Sequence, residues 1–128
     1  MFIRFVVHQL DEDSNQRLGI IQTAYELRDS GAMQKYEEEI FAGIMAWFDT
    51  HLKEPSSFRR SKKYHAQNKA ISWFKSYAVD HIAKMYELKT LLEQHDIAVE
   101  VIKTERTGFI VYEDVHQVVA EPFQETVT

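Results

Sequence analysis

The sequence predicts an α+β fold in which three helices pack on one face of a four-stranded, largely antiparallel sheet, in the order β-α-α-α-β-β-β. Three observations support this prediction: an apolar, β-branched run opens the chain, helical periodicity fills the middle, and short alternating runs fill the last third. A length of 128 residues is typical of one domain with one hydrophobic core. We therefore expect residues 1–128 to form a single domain.

The first predicted element is a strand over Phe2–Leu10, where β-branched and aromatic residues dominate. Alternation places Ile3, Phe5 and Val7 on one face and Arg4 on the other. Both faces are partly apolar, which predicts a central or mostly covered strand. An apolar sheet face that the helices leave uncovered would be a dimer surface, so we expect a homodimer.

Helical spacing of apolar residues predicts the next three elements. The first helix begins near Gln16 and ends at Gly31, a residue that readily adopts the left-handed turn after a helix. The second covers Met33–Leu52, because Pro55 follows it and cannot continue a helix. A basic loop over residues 53–66 leads to a third helix over Gln67–His95.

The last third of the chain predicts three strands in an antiparallel meander. They cover Ile97–Thr104, Phe109–Glu113 and Gln117–Glu121, with turn residues between them. Residues 123–128 are expected to be a frayed tail.

Composition excludes several classes of function. The chain has no cysteine, which excludes disulfides, thiolate metal sites and cysteine nucleophiles and agrees with a cytoplasmic protein. No run of about 18 apolar residues occurs, so we expect no membrane span, and the N-terminus lacks the basic start of a signal peptide. A net charge of −5 argues against a general nucleic-acid coat protein but leaves room for one basic surface.

The stretch Lys53–Lys75 is the feature that indicates a partner. It contains seven Lys or Arg residues and one acid, a local charge of +6 within a chain of net charge −5. Cations bind phosphates and exposed aromatic rings stack on bases, so the stretch predicts binding to an anionic partner, either nucleic acid or an acidic protein. The predicted binding residues are Arg59, Arg60, Lys62, Lys63, Tyr64, Lys69 and Trp73.

Two other interpretations of this stretch remain open. In the first, Trp73 and Phe74 are core residues, and the cations are solvated or pair with acids of the same chain such as those of residues 37–39 or 11–13. In the second, the basic loop pairs with acidic patches on a second copy or another protein, which makes the chain an interaction module.

Enzymatic chemistry has little support in the sequence. The chain contains no HExxH, GxSxG, P-loop or dinucleotide fingerprint, so no catalytic residue, metal or cofactor is predicted. An enzyme of an unrecognised type would need a deep pocket. The residues considered for such a pocket are Arg4, His8, Lys69, Trp73, Tyr77 and His81, and a separate hydrolase set is Arg106, Glu113 and His116.

Two segments, KAISWFK (Lys69–Lys75) and GFIVYEDVHQVVAEPF (Gly108–Phe123), resemble stretches of an uncharacterised family of small bacterial proteins. The resemblance covers the second half of the chain best. It implies a cytoplasmic bacterial protein and carries no activity, cofactor or site residue with it.

Overall fold

The computed structural model describes residues 1–12, 15–55 and 70–128. These residues form six strands and three helices. The strands are β1 (Phe2–Leu10), β2 (Arg17–Gly19), β3 (Ile71–Lys75), β4 (Glu100–Thr104), β5 (Phe109–Glu113) and β6 (Gln117–Glu121). The helices are α1 (Ile20–Asp29), α2 (Lys35–His51) and α3 (Val79–Glu93). None of these three helices is both long and apolar enough to cross a lipid bilayer.

Strand β1 is the centre of the sheet. One edge pairs with β4 over residues 2–6, and the other edge pairs with β3 at residues 2–3 and with β2 at residues 6 and 10. Beyond β3 the order continues through β6 to β5, and every pairing is antiparallel. The predicted α+β class and largely antiparallel sheet are confirmed, but the predicted count of four strands and the predicted element order are wrong.

Strand β3 is one of the two strands that the sequence does not predict. Helical spacing predicts residues 71–75 inside a long third helix, whereas they form β3 and the helix begins only at Val79. Ile71 and Trp73 are both buried, two residues apart on one face, which is the strand period. Asp80 lies in the first turn of α3, where a negative charge favours a helix start.

Strand β2 is the other strand that the sequence does not predict. Helical spacing predicts a first helix that begins near Gln16, but residues 17–19 pair with β1 and α1 begins at Ile20. A hairpin joins β1 to β2: the Asp11 amide donates to the carbonyl of Gln16 (2.7 Å), and Asn15 adopts a positive φ of 56°. Asn tolerates this left-handed conformation better than most residues, which favours the turn.

Two hydrophobic clusters lie against the two faces of the sheet. The first joins all three helices to the face of β1 that carries Ile3, Phe5 and Val7. Burial of each Leu or Phe side chain in this cluster favours the folded state by about 1.5–3 kcal/mol relative to leaving it exposed to water. Its buried helix residues are Ile20, Ala24, Phe41, Ile44, Phe48, Met85, Leu88, Leu91 and Leu92. The second cluster lies on the opposite face and contains Val6, Ile71, Trp73, Ile102 and Val118.

Two glycines are required by the backbone. Gly31 follows α1 with φ of 79°, as the sequence predicts for a residue just after a helix. Gly108 precedes β5 with φ of 121°, and a Cβ atom there would lie 1.9 Å from the carbonyl oxygen of Glu121. A side chain at residue 108 would therefore force the β5–β6 hairpin apart.

Candidate functional site

The residues predicted to bind an anion divide into one that the structure describes and six that it does not. Trp73 lies on β3 with 1% of its surface exposed, opposite Val118 of β6. Trp73 is therefore a core residue here, and it belongs to a strand and not to the predicted third helix. The other six residues lie outside the described part of the chain: Arg59, Arg60, Lys62, Lys63, Tyr64 and Lys69. The proposed basic surface stays a prediction.

A cleft opens where β1 and β3 separate. Their pairing stops after Ile3 and Phe74, and pairing of β1 with β2 begins at Val6. No described strand therefore pairs with Arg4 and Phe5 on this edge of β1. The cleft has a volume of about 910 Å³, within the usual range for small-molecule sites.

Arg4 is the charged side chain most deeply placed in the cleft wall. Its exposed fraction is 8%, and its Nη2 donates to the carbonyl oxygen of Arg17. Its Nε is buried, and no described residue offers it a hydrogen-bond acceptor. Within the described residues no carboxylate lies within ion-pair distance of the guanidinium.

Burial and a like charge both disfavour the cation at this position. Desolvation, followed by the nearby positive charge of Arg17, lowers the pKa of Arg4 to about 10. Arg17 itself forms an ion pair with Glu100 across β1, so its charge is already balanced. Arg4 is therefore a buried cation that the described residues leave without a counter-ion.

Most of the remaining cleft wall is apolar. Aliphatic, thioether and aromatic side chains come from β1, the start of α1, the end of α2, β3 and α3. They include the half-buried Met45 and Phe74 and the fully buried Phe5, Ile20, Phe48 and Met85. Methionine side chains adapt easily to different ligand shapes, which suits a wall of this composition.

The rim of the cleft carries charges of both signs. Asp49, Lys53 and Glu54 are exposed and Asp11 is half-buried. Exposed charges are strongly screened by water, so these residues affect a ligand inside the cleft less than the buried Arg4 does. Ser72 also lines the cleft, and its side chain is exposed.

The β5–β6 hairpin end holds a second polar cluster with a different character. The Asp114 carboxylate accepts hydrogen bonds from the amides of His116 (2.9 Å) and Gln117 (3.1 Å), from the Tyr112 hydroxyl (2.9 Å) and from Gln117 Nε2 (3.0 Å). Burial alone would raise the pKa of Asp114, but these hydrogen bonds outweigh it and the pKa is lowered. Gln117 Nε2 also donates to the carbonyl of Lys53 (2.7 Å), which fixes the chain after α2 to this hairpin.

A histidine-rich aromatic group lies beside that hairpin. His81 is buried and stacks on His116 with ring centroids 4.2 Å apart, and its Nε2 donates to the carbonyl of His51 (2.7 Å). Trp47 stacks on His51 and meets His81 edge-on. Nowhere in the described residues do three or more His, Asp or Glu side chains approach closely enough to hold a metal ion.

The two residue sets considered for an enzyme do not come together as active sites in the described structure. Of the pocket set, Arg4 lines the cleft, while the described parts of its wall do not include His8, Tyr77 or His81. In the hydrolase set, Glu113 pairs with Lys75, His116 stacks on His81, and Arg106 pairs with Glu125. Burial alone would lower the pKa of Lys75, but hydrogen bonds to Glu113 and Tyr77 raise it.

One of the acids considered as partners for the basic stretch, Glu37, has contacts elsewhere in the fold. Glu37 is buried, accepts a hydrogen bond from the Gln34 amide (3.0 Å) and pairs with His95 (2.7 Å). The hydrogen bond from Gln34, with a smaller contribution from His95, lowers the pKa of Glu37 against the effect of burial. Glu37 therefore stabilises the start of α2 as part of a capping box.

The sequence contained a weak signal for the cleft. Arg4 interrupts the apolar run FIRFVV, and a cation in the middle of a central strand must find an acceptor or a ligand. The separation of β1 from β3 had no such signal, because it depends on where the two strands stop pairing. Comparisons of the chain with protein-family models, curated proteins and solved structures find no match.

Proposed function

We propose that this protein is a non-enzymatic binding domain whose partner is anionic. The observation that carries the proposal is Arg4, a buried guanidinium without a carboxylate partner in the described structure, in the wall of a cleft of about 910 Å³. A buried charge without a partner lowers the stability of the fold. Such charges are therefore more frequent at functional sites than elsewhere in proteins. An anion beside Arg4 would remove that cost in the bound state.

The basic stretch supports the same class of partner from the sequence. Its cations, Arg59 to Lys69, occur between two segments that both line the cleft, residues 53–55 and residues 70–72. In this part of the proposal, Arg59, Arg60, Lys62 and Lys63 engage an anionic partner, either nucleic acid or an acidic protein, and the latter includes a second copy in a homodimer. The function does not require catalysis, a metal or a cofactor.

Nucleic-acid binding is tested by fluorescence anisotropy with labelled single-stranded RNA and DNA of mixed sequence at low salt. We expect binding that weakens as salt rises and that falls at least tenfold when Arg59, Arg60, Lys62 and Lys63 are all changed to alanine. The matched control changes four other surface cations to alanine, Lys35, Lys84, Lys89 and Lys103, and should leave most of the binding.

Other results would redirect the proposal. Negligible affinity for every oligonucleotide at low salt would exclude nucleic acid as the partner of the basic residues. Equal losses in the test and control variants would show dependence on net charge alone. A dimer by light scattering that the Arg59–Lys63 variant disrupts would favour pairing with acidic patches of a second copy.

A further inference from the structure

We infer that the cleft between β1 and β3 binds an organic acid with an extended apolar body, its carboxylate on Arg4 and its hydrocarbon chain against the apolar wall. The inference rests on the proposed function, because it assumes that the buried charge of Arg4 is there to meet an anion. It goes further in naming the chemical class of the ligand.

The charge of the site selects a single negative group. Arg17 is already paired with Glu100, so Arg4 is the one cleft cation, among the described residues, that is both buried and unbalanced. A guanidinium presents parallel N–H groups that match the two oxygens of a carboxylate. A ligand with several phosphates would bring more negative charge than this part of the cleft can balance.

The wall selects an apolar body. Ile21, Met45, Leu52 and Phe74 line the cleft and are half-buried, so they supply its apolar surface. Phe5, Phe48 and Met85 line it from within the core and are almost fully covered. Water against such a wall is unfavourable, and a hydrocarbon chain would replace it. The volume of about 910 Å³ exceeds what a small inorganic anion needs, so such an anion would leave the half-buried apolar side chains of the wall hydrated.

Exposed acids at the rim give a carboxylate no binding position there, which leaves the buried Arg4 as its partner. Asp49 and Glu54 repel an anion at the entrance, and Lys53 beside them is exposed and solvated. A carboxylate gains most by leaving this mixed rim for the buried guanidinium.

The test is a homologous series of straight-chain acids, acetate, hexanoate, octanoate and decanoate, added to the full chain and followed by isothermal titration calorimetry. We expect saturable one-to-one binding of decanoate, with affinity rising about fourfold for each added methylene until the wall is covered. Decanol, which has the same body without the charge, should bind at least tenfold more weakly than decanoate.

Two variants and a control locate the binding. Arg4→Met keeps an apolar side chain of similar length and should reduce decanoate affinity at least tenfold. Ser72→Trp keeps Arg4 but fills the cleft from the exposed face of β3, and it should also abolish binding, so the test survives if Arg4→Met does not fold. Arg106→Met removes an exposed cation far along the chain and should leave the affinity within twofold.

Each alternative result has a distinct meaning. Inorganic phosphate or acetate binding as tightly as decanoate, and depending on Arg4, would overturn the ligand class and keep the proposed function. Binding of oligonucleotides without any binding of the straight-chain acids would also overturn the ligand class and keep the proposed function. Decanoate binding that neither Arg4→Met nor Ser72→Trp changes would overturn the site. No binding of any anion would overturn both the inference and the proposed function.

Discussion

Arg4 on β1 and Asp114 at the β5–β6 hairpin end are both charged side chains that the fold withdraws from water, and their surroundings differ. Asp114 accepts four hydrogen bonds from backbone and side-chain donors. Arg4 is more deeply buried, donates one hydrogen bond to a backbone carbonyl, and has a buried Nε without a described partner. The described residues therefore supply hydrogen-bond partners for both oxygens of the Asp114 carboxylate, but none for the Nε of Arg4.

The difference separates a structural role from a binding role. A charge with all its hydrogen bonds satisfied stabilises the native state and gains nothing from a ligand. A buried charge without a counter-ion destabilises the free protein and becomes favourable only when an anion arrives. The two positions should therefore respond in opposite directions to neutral substitutions of similar size.

Asp114→Asn is expected to have the largest effect. The amide oxygen can still accept from the backbone, but its NH₂ group would face the donors Tyr112 and Gln117, so we expect a loss of about 2–3 kcal/mol of unfolding free energy at pH 7. Urea denaturation measures it. Lys89→Ala is the control, because the exposed Lys89–Glu93 pair should contribute under about 0.5 kcal/mol. A loss no larger than that of the control would contradict the structural role of Asp114.

Arg4→Met is expected to have a smaller effect of the opposite sign. Removing an uncompensated charge favours the folded state, while the carbonyl of Arg17 loses its donor, and the net result should be about 1 kcal/mol of added stability. The same urea titration measures it in the absence of ligand. A loss of more than about 1 kcal/mol would mean that Arg4 stabilises the fold, and the comparison with Asp114 would fail.

The smallest expected effect is the change with pH in the difference of unfolding free energy between the wild-type protein and each variant. The lowered pKa of Asp114 means that its stabilisation is present above the unfolded value of about 3.9 and is lost as pH falls through the folded value. The difference between the wild-type protein and Asp114→Asn should therefore narrow between pH 5 and pH 3, by under about 1 kcal/mol because of solvent screening. The difference for Arg4→Met should stay constant between pH 6 and pH 9, because the guanidinium keeps its proton there. A difference for Asp114→Asn that stays constant or widens on acidification would contradict the hydrogen-bond account.

Local pattern was sufficient for several elements. Strands β1, β5 and β6 have the bounds that alternation predicts, and α2 lies within the predicted helix. Local pattern failed for β3, because Ile71 and Phe74 have the spacing of a helical stripe while Ile71 and Trp73 have the spacing of a strand. Pairing of β3 with β1 and β6, both distant in sequence, decides between the two.

The candidate site shows the same division. The charge asymmetry of residues 53–75 and the cation within FIRFVV are visible in the sequence. That Trp73 is a core residue follows from the strand neighbours that cover it, with Val118 directly opposite. The cleft exists because β3 leaves β1 after two paired residues, which no local pattern records.

The sequence by itself determined the class of the fold, the central strand, the second helix and the last hairpin, because hydrophobic period and turn residues act over a few neighbouring positions. Only the tertiary structure decided which residues of β3 are buried and where β1 loses its partner. It also decided that Asp114 is surrounded by hydrogen-bond donors, while the Nε of Arg4 has no acceptor among the described residues. Those properties depend on contacts between segments far apart in the chain, and burial and charge compensation arise only when such segments meet.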